Sequence, residues 1–292
     1  MYQTLENQRL CIKVAEHGAE LCSIYDKKNS REILWQADPS YWKRHAPVLF
    51  PNVGRHYQEH YRTGANTYPS KQHGFARDMD FSCLSHTLDS VLHELCSSPE
   101  TKETYPYDFT LQIRHTLQEN SVMVSWTVKN TGSTPMYFTI GGHPAFCVPV
   151  LPNTEFSDYY LGFQQQDCLT YFLIDPASGT AVPQEPHTLA LSNGCVKLDS
   201  HMFDRDALIL DNGQITTASI LLPDQTPYLT MHCEGFPNFG IWSVPGAPFV
   251  CLEPWMGRCD DRGYEGTLEE KPQINALKPG EIFHKDYSIE IF

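Results

Sequence analysis

Residues 120–132 read NSVMVSWTVKNTG. Val122, Val124, Trp126 and Val128 fall at every second position, with Ser121, Ser125 and Thr127 between them. A period of two sends successive side chains to opposite faces of an extended chain. The stretch therefore predicts a strand with one apolar and one polar face, closed by a turn at Asn130-Thr131-Gly132. YDFTLQIRHTL (107–117) repeats the pattern, setting Phe109, Leu111 and Ile113 against Thr110, Gln112 and Arg114. Further short β-type runs follow at ASILLPD (218–224), YLTMHCEG (228–235), FGIWSVPG (239–246), PFVCLEPW (248–255) and YSIEIF (287–292), each punctuated by Gly, Pro, Asn or Asp. Helical periodicity is scarce, and 21 prolines and 15 tyrosines fit a strand-and-turn chain.

Turn signals recur at short intervals along all 292 residues, with no Ser/Gly linker, low-complexity tract or internal repeat. The expected fold class is all-β, a large, mostly antiparallel β-sandwich forming one domain over residues 1–292. A hydrophobic fraction of 41% supplies a substantial core. The formal charge of −14 argues against nucleic acid and anionic membranes as partners, since phosphate surfaces call for basic ones. The ten cysteines are scattered, many in apolar runs, and no CxxC occurs, so reduced core thiols are expected. The first residues carry charges where a signal peptide has its apolar stretch, and no run of about 18 apolar residues occurs. A cytoplasmic location is expected.

Five stretches carry candidate chemistry. In HAPVLFPNVGRHY (45–57) an apolar run ends at Pro51 and a turn delivers Arg55, whose planar fork suits hydroxyls, a carboxylate or a phosphate. KQHGFARD (71–78) sets His73 before a glycine, with Arg77 and Asp78 close behind. TIGGHPAF (139–146) loosens the backbone at Gly141 and Gly142, places His143, then restricts it to an extended conformation with Pro144. FVCLEPW (249–255) ends an apolar run at Glu253, with Trp255 as an aromatic wall; a carboxylate there is costly to desolvate unless paired or used. HMFDRDALILDN (201–212) holds Asp204 and Asp206 two apart, on one face if the segment is a strand. No HExxH, GxSxG elbow, P-loop or dinucleotide-binding glycine motif appears, so a metal site is not expected.

PVLFPNVGR, HGFARD, GGHPAF, FDRDALIL and VCLEPW, in this order and across nearly the whole chain, resemble the aldose 1-epimerase (galactose mutarotase-like) family, and within it the LacX-like branch. The resemblance implies a large β-sandwich with an open cleft and exchange of sugar anomers by acid–base ring opening, with no cofactor. It implies Glu253 as base, His143 as acid and His73 on the ring oxygen or a neighbouring hydroxyl. Arg55 and Asp206 (or Asp204) would hold distal hydroxyls. Arg77, with Arg55, would suit a phosphorylated sugar, and Trp255 would wall the cleft. An ionised Glu253 beside His143 is expected to favour the imidazolium, and the glycines to let a flat sugar approach. The expected partner is a small sugar, a free aldohexose before a hexose 6-phosphate, bound by a monomer or homodimer. A non-catalytic carbohydrate-binding protein is the alternative from another class.

Overall fold

The computed structural model describes residues 1–164 and 166–292. Its largest sheet, among the described residues, has nine strands, ordered Cys195–Lys197, Tyr160–Phe163, Thr217–Leu221, Pro227–His232, Ile282–Ile291, Ser121–Asn130, Phe109–Gln118, Ser90–Cys96 and Ser82–His86. Every pairing in it is antiparallel. Ser121–Asn130 pairs residue for residue with Phe109–Gln118, setting Val122 opposite Leu117 and Trp126 opposite Ile113. Val122, Val124, Trp126 and Val128 are all buried, as are Phe109, Leu111, Ile113 and Leu117. Each such side chain contributes about 1.5–3 kcal/mol relative to exposure. His115 and His93 take apolar register positions on this face, with 1% and 0% exposure. Ser125, on the opposite face, is buried against the pattern.

The second large sheet has six strands. Leu208–Leu210, Asn238–Trp242, Phe249–Met256, Ile140–Gly142 and Val48–Leu49 lie side by side, and Ala145–Cys147 also pairs with Phe249–Met256. A four-stranded sheet, Tyr2–Glu6 through Arg31–Glu32, stands at the N-terminal end. One hydrophobic cluster joins residues of all three sheets, from Leu5 to Ile291. The ten cysteines are free, and among the described residues no helix is long and apolar enough to cross a membrane.

Phe249–Met256 is the strand that positions the site. Seven of its eight residues are buried, which matches the continuous apolar run of the sequence. The strand does not stop at Glu253, however; it runs on through Pro254, which faces Phe239. The TIGGHPAF stretch breaks as its composition suggests. Ile140–Gly142 pairs with both Val48–Leu49 and Phe249–Met256, His143 and Pro144 leave the ladder, and pairing resumes at Ala145.

Candidate functional site

On the face of the six-stranded sheet, a cavity of about 460 Å³ gathers His73, Arg77, His143, Asp206, Glu253 and Trp255 from four separate stretches of chain. Its floor is the break after Gly142 and the middle of Phe249–Met256. There Nε2 of His143 stands 3.4 Å from Oε2 of Glu253, and both side chains are more than nine-tenths buried.

The glycines beside His143 act differently from the expectation that they admit a sugar. A Cβ on Gly141 would strike the Trp255 ring, and one on Gly142 would lie 2.8 Å from the Tyr287 hydroxyl. Gly240 would strike the other end of the same indole. The missing side chains are thus filled by protein: Gly141 and Gly240 flank Trp255 from the neighbouring strands and let its ring lie flat on the sheet. The sequence shows the small residues but not what crosses over to occupy them.

His73 is set by a clamp between two of the sequence motifs. Its backbone adopts the left-handed conformation, φ 66°, and its N–H donates to the Gly54 carbonyl at 2.8 Å. In return the Gly54 N–H donates to His73 Nδ1 at 3.0 Å. Because Nδ1 accepts, the ring proton belongs on Nε2. Gly74, also at positive φ, passes so close to the Phe50 carbonyl that any side chain would collide with it. This explains the glycine that follows the histidine.

Aromatic rings enclose His143. Trp42 stacks on it, with centroids 4.8 Å apart and planes 27° from parallel, and Trp242 meets it edge-on at 5.5 Å. His73 approaches edge-on at 5.6 Å. In this surrounding burial lowers the His143 imidazole to about 3, with the Arg77 charge adding to the effect. Burial also pushes the Glu253 carboxyl well above the ordinary carboxylate range, helped by the Asp206 charge. His73 is held well below the usual histidine value by burial and then by His143. Burial thus works against the expected imidazolium–carboxylate pair. Desolvation penalises both charges and shifts the pair toward neutral imidazole and protonated carboxyl. The pair still holds one proton, 3.4 Å from the atom that would receive it.

The outlying candidates separate. Asp206 lines the cavity at φ 75°, whereas Asp204 is exposed and bonded to Nδ1 of His201 at 2.8 Å. They lie in a turn and not on a strand, so their spacing of two does not put them on one face. Arg55 stands at the rim against Gly179 and pairs with Glu59 at 2.8 Å; it is not among the residues of the cavity wall. Arg77 is in that wall, donating to the Gln72 carbonyl at 2.8 Å; its buried Nε stands 3.9 Å from Oδ2 of Asp78 and makes no hydrogen bond among the described residues. Burial, then the neighbouring Arg44, lowers its guanidinium to about 10.

Sequence reasoning missed Trp42, Lys43, Arg44, Gln72 and Trp242, all in the wall. Arg44 donates to Asp78 at 2.7 Å. An aromatic followed directly by two basic residues, in YWKRH (41–45), was the available signal. Trp242 gave none beyond its place in a strand.

The fold and cavity agree with the comparisons. The family model for aldose 1-epimerase matches residues 1–289, and the chain belongs to that family. It is 31% identical over 295 residues to Protein LacX (plasmid) of Lactococcus lactis subsp. lactis, covering 98% of each chain. A galactose mutarotase related enzyme from Lactobacillus acidophilus superposes with a TM-score of 0.94 at 31% identity, over 100% of this chain and 97% of the other. A galactose mutarotase-like protein from Lactobacillus casei gives 0.90 at 32% identity over the full length of both. Membership supports a sugar epimerase or mutarotase-like function.

Proposed function

We propose that the protein is an aldose 1-epimerase that interconverts the α and β anomers of a free aldohexose. One observation carries the reading: a carboxyl and an imidazole 3.4 Å apart at the floor of a sugar-sized, tryptophan-lined cavity. Ring opening takes a proton from the C1 hydroxyl and gives one to the ring oxygen. Rotation about C1–C2 and the reverse transfers then close the other anomer. Glu253 is assigned as the base and His143 as the acid, each contributing about 10²–10⁴ in rate.

In the neutral form that burial favours, the proton must first move. A sugar whose hydroxyls donate to the Glu253 carboxyl favours its ionised form, and its proton then passes to His143 Nε2 without exchange with solvent. Carboxylate and imidazolium now flank the substrate in their working states. His73, with its proton on Nε2, donates to the ring oxygen or a hydroxyl beside it. Asp206 accepts from distal hydroxyls, and Trp255 offers a flat apolar face, with its indole N–H toward the Glu253 carboxyl. A binding-only protein has no use for a proton-sharing pair, and this favours catalysis.

A second reading, a hexose 6-phosphate as substrate, is favoured by Lys43, Arg44 and Arg77 on one wall. Measuring anomer exchange by NMR over a panel of sugars and their phosphates tests both readings. Exchange of free hexoses supports the first, exchange confined to phosphates the second, and binding without exchange overturns both.

A further inference from the structure

Beneath the proton-sharing pair lies a third group with no part in the reaction above. Cys251 is fully buried, two residues before Glu253 on the same strand, so its thiol shares a face with the carboxyl. One ligand atom each from His143, Cys251 and Glu253 falls within 4.8 Å of the other two, and all three residues are buried. Among the described residues no hydrogen bond ties these side chains to one another, and Nδ1 of His143 is buried without a partner.

We infer that this cluster is an inhibitory site for a thiophilic divalent cation of the zinc class. A tetrahedral zinc with ordinary bond lengths sets nitrogen and oxygen ligands about 3.4 Å apart and nitrogen and sulfur about 3.6 Å apart. The separation of His143 Nε2 from Glu253 Oε2 is already 3.4 Å. The sulfur, within 4.8 Å, needs to close by no more than roughly 1 Å to reach tetrahedral spacing.

The donor set chooses the ion. A thiolate, an imidazole and one carboxylate suit zinc, cobalt or cadmium, whereas magnesium and calcium prefer oxygen. Binding expels the thiol proton to solvent, and thiolate plus carboxylate balance the double charge. A buried site of this kind therefore holds no net charge. Three protein ligands leave a fourth position, and since His143 and Glu253 face the cavity while Cys251 lies under them, that position opens to the cavity. The cation occupies the lone pairs that the acid and the base use. It stops the reaction instead of assisting it, since the acid–base route proposed above uses no metal.

The binding claim is independent of the proposed function; the inhibitory claim rests on it, and the test separates them. EDTA-stripped, dialysed protein is titrated with Co²⁺ and the thiolate-to-cobalt charge-transfer band is recorded, then Zn²⁺ is added as competitor. The expected result is one thiolate-bound cobalt per chain, displaced by zinc. The site should weaken by about tenfold or more in Cys251→Ser and in Cys251→Ala, and stay unchanged in Cys168→Ser, which removes an exposed thiol. In parallel, anomer exchange should survive EDTA, fall with added Zn²⁺ and recover with EDTA. Each Cys251 variant, referred to its own metal-free rate, should resist zinc by a similar factor. A band that persists in both Cys251 variants, or no band in the wild type, overturns the site. A Cys251-dependent band in a protein that exchanges no sugar upholds the site and overturns the mutarotase reading instead.

Discussion

Replacing Glu253 by Gln removes the proton affinity of one group and almost nothing else. The side chain keeps its volume in a strand whose register sets it opposite Gly240, and it remains beside His143. As base, Glu253 is worth about 10²–10⁴ in rate, or about 3–5 kcal/mol of transition-state stabilisation. The variant should therefore lose at least about 10² in kcat. Stability distinguishes the resting protonation state. Where both groups are neutral, an amide replaces a protonated carboxyl of the same shape and the urea midpoint should barely move. Were the pair ionised, removing one partner would strand a buried charge at a cost of about 3–5 kcal/mol. The assay is exchange between anomers by NMR, with sugar binding followed through the fluorescence of Trp42, Trp242 and Trp255, all in the cavity wall. Wild-type exchange in Glu253→Gln with binding intact refutes the assignment of the base. A loss of several kcal/mol in the urea transition refutes the neutral pair.

The pH profile of kcat/KM should be bell-shaped and broad, because the working pair carries one proton. Acid adds a second to His143, whose value is lowered to about 3, and alkali removes the last from Glu253, whose value is raised; an acid limb centred at the ordinary histidine value near 6.5 would contradict this. Arg77→Ala should raise KM for a hexose 6-phosphate by about tenfold or more while changing that for a free hexose little, and Arg55→Ala, at the rim, should change neither by more than about twofold; steady-state kinetics on both sugars decides. Lys271→Met leaves Asp260, 4% exposed and bonded to Lys271 at 2.7 Å, with only His56 as a side-chain partner among the described residues; urea unfolding should show a loss of about 3–5 kcal/mol. Burial lowers His115 from 6.5 to about 3, so the unfolded chain binds this proton between those values while the native one does not. Stability should accordingly fall with decreasing pH across that window by about 1.4 kcal/mol per unit for this residue. His115→Leu should flatten the slope of urea midpoints; an unchanged slope counts against the buried neutral imidazole.

The strands were legible because period-two alternation is a local property. Val122 to Val128 face inward since their own sequence demands an apolar side, whatever sheet receives them. The clustering of His73, His143 and Glu253 was legible only through likeness to a family, since nothing local to KQHGFARD places it against TIGGHPAF. Tertiary structure decided what depends on partners distant along the chain. Gly141 and Gly240 are small because Trp255 crosses both, and Asp206 meets the cavity while Asp204 does not because the turn sends the two apart. Trp42 became part of the site only when its segment folded over His143. The same enclosure shifts the protonation of His143 and Glu253. Sequence places an acid and a base in one protein, but the cost of keeping either charged depends on how much water the packed rings exclude.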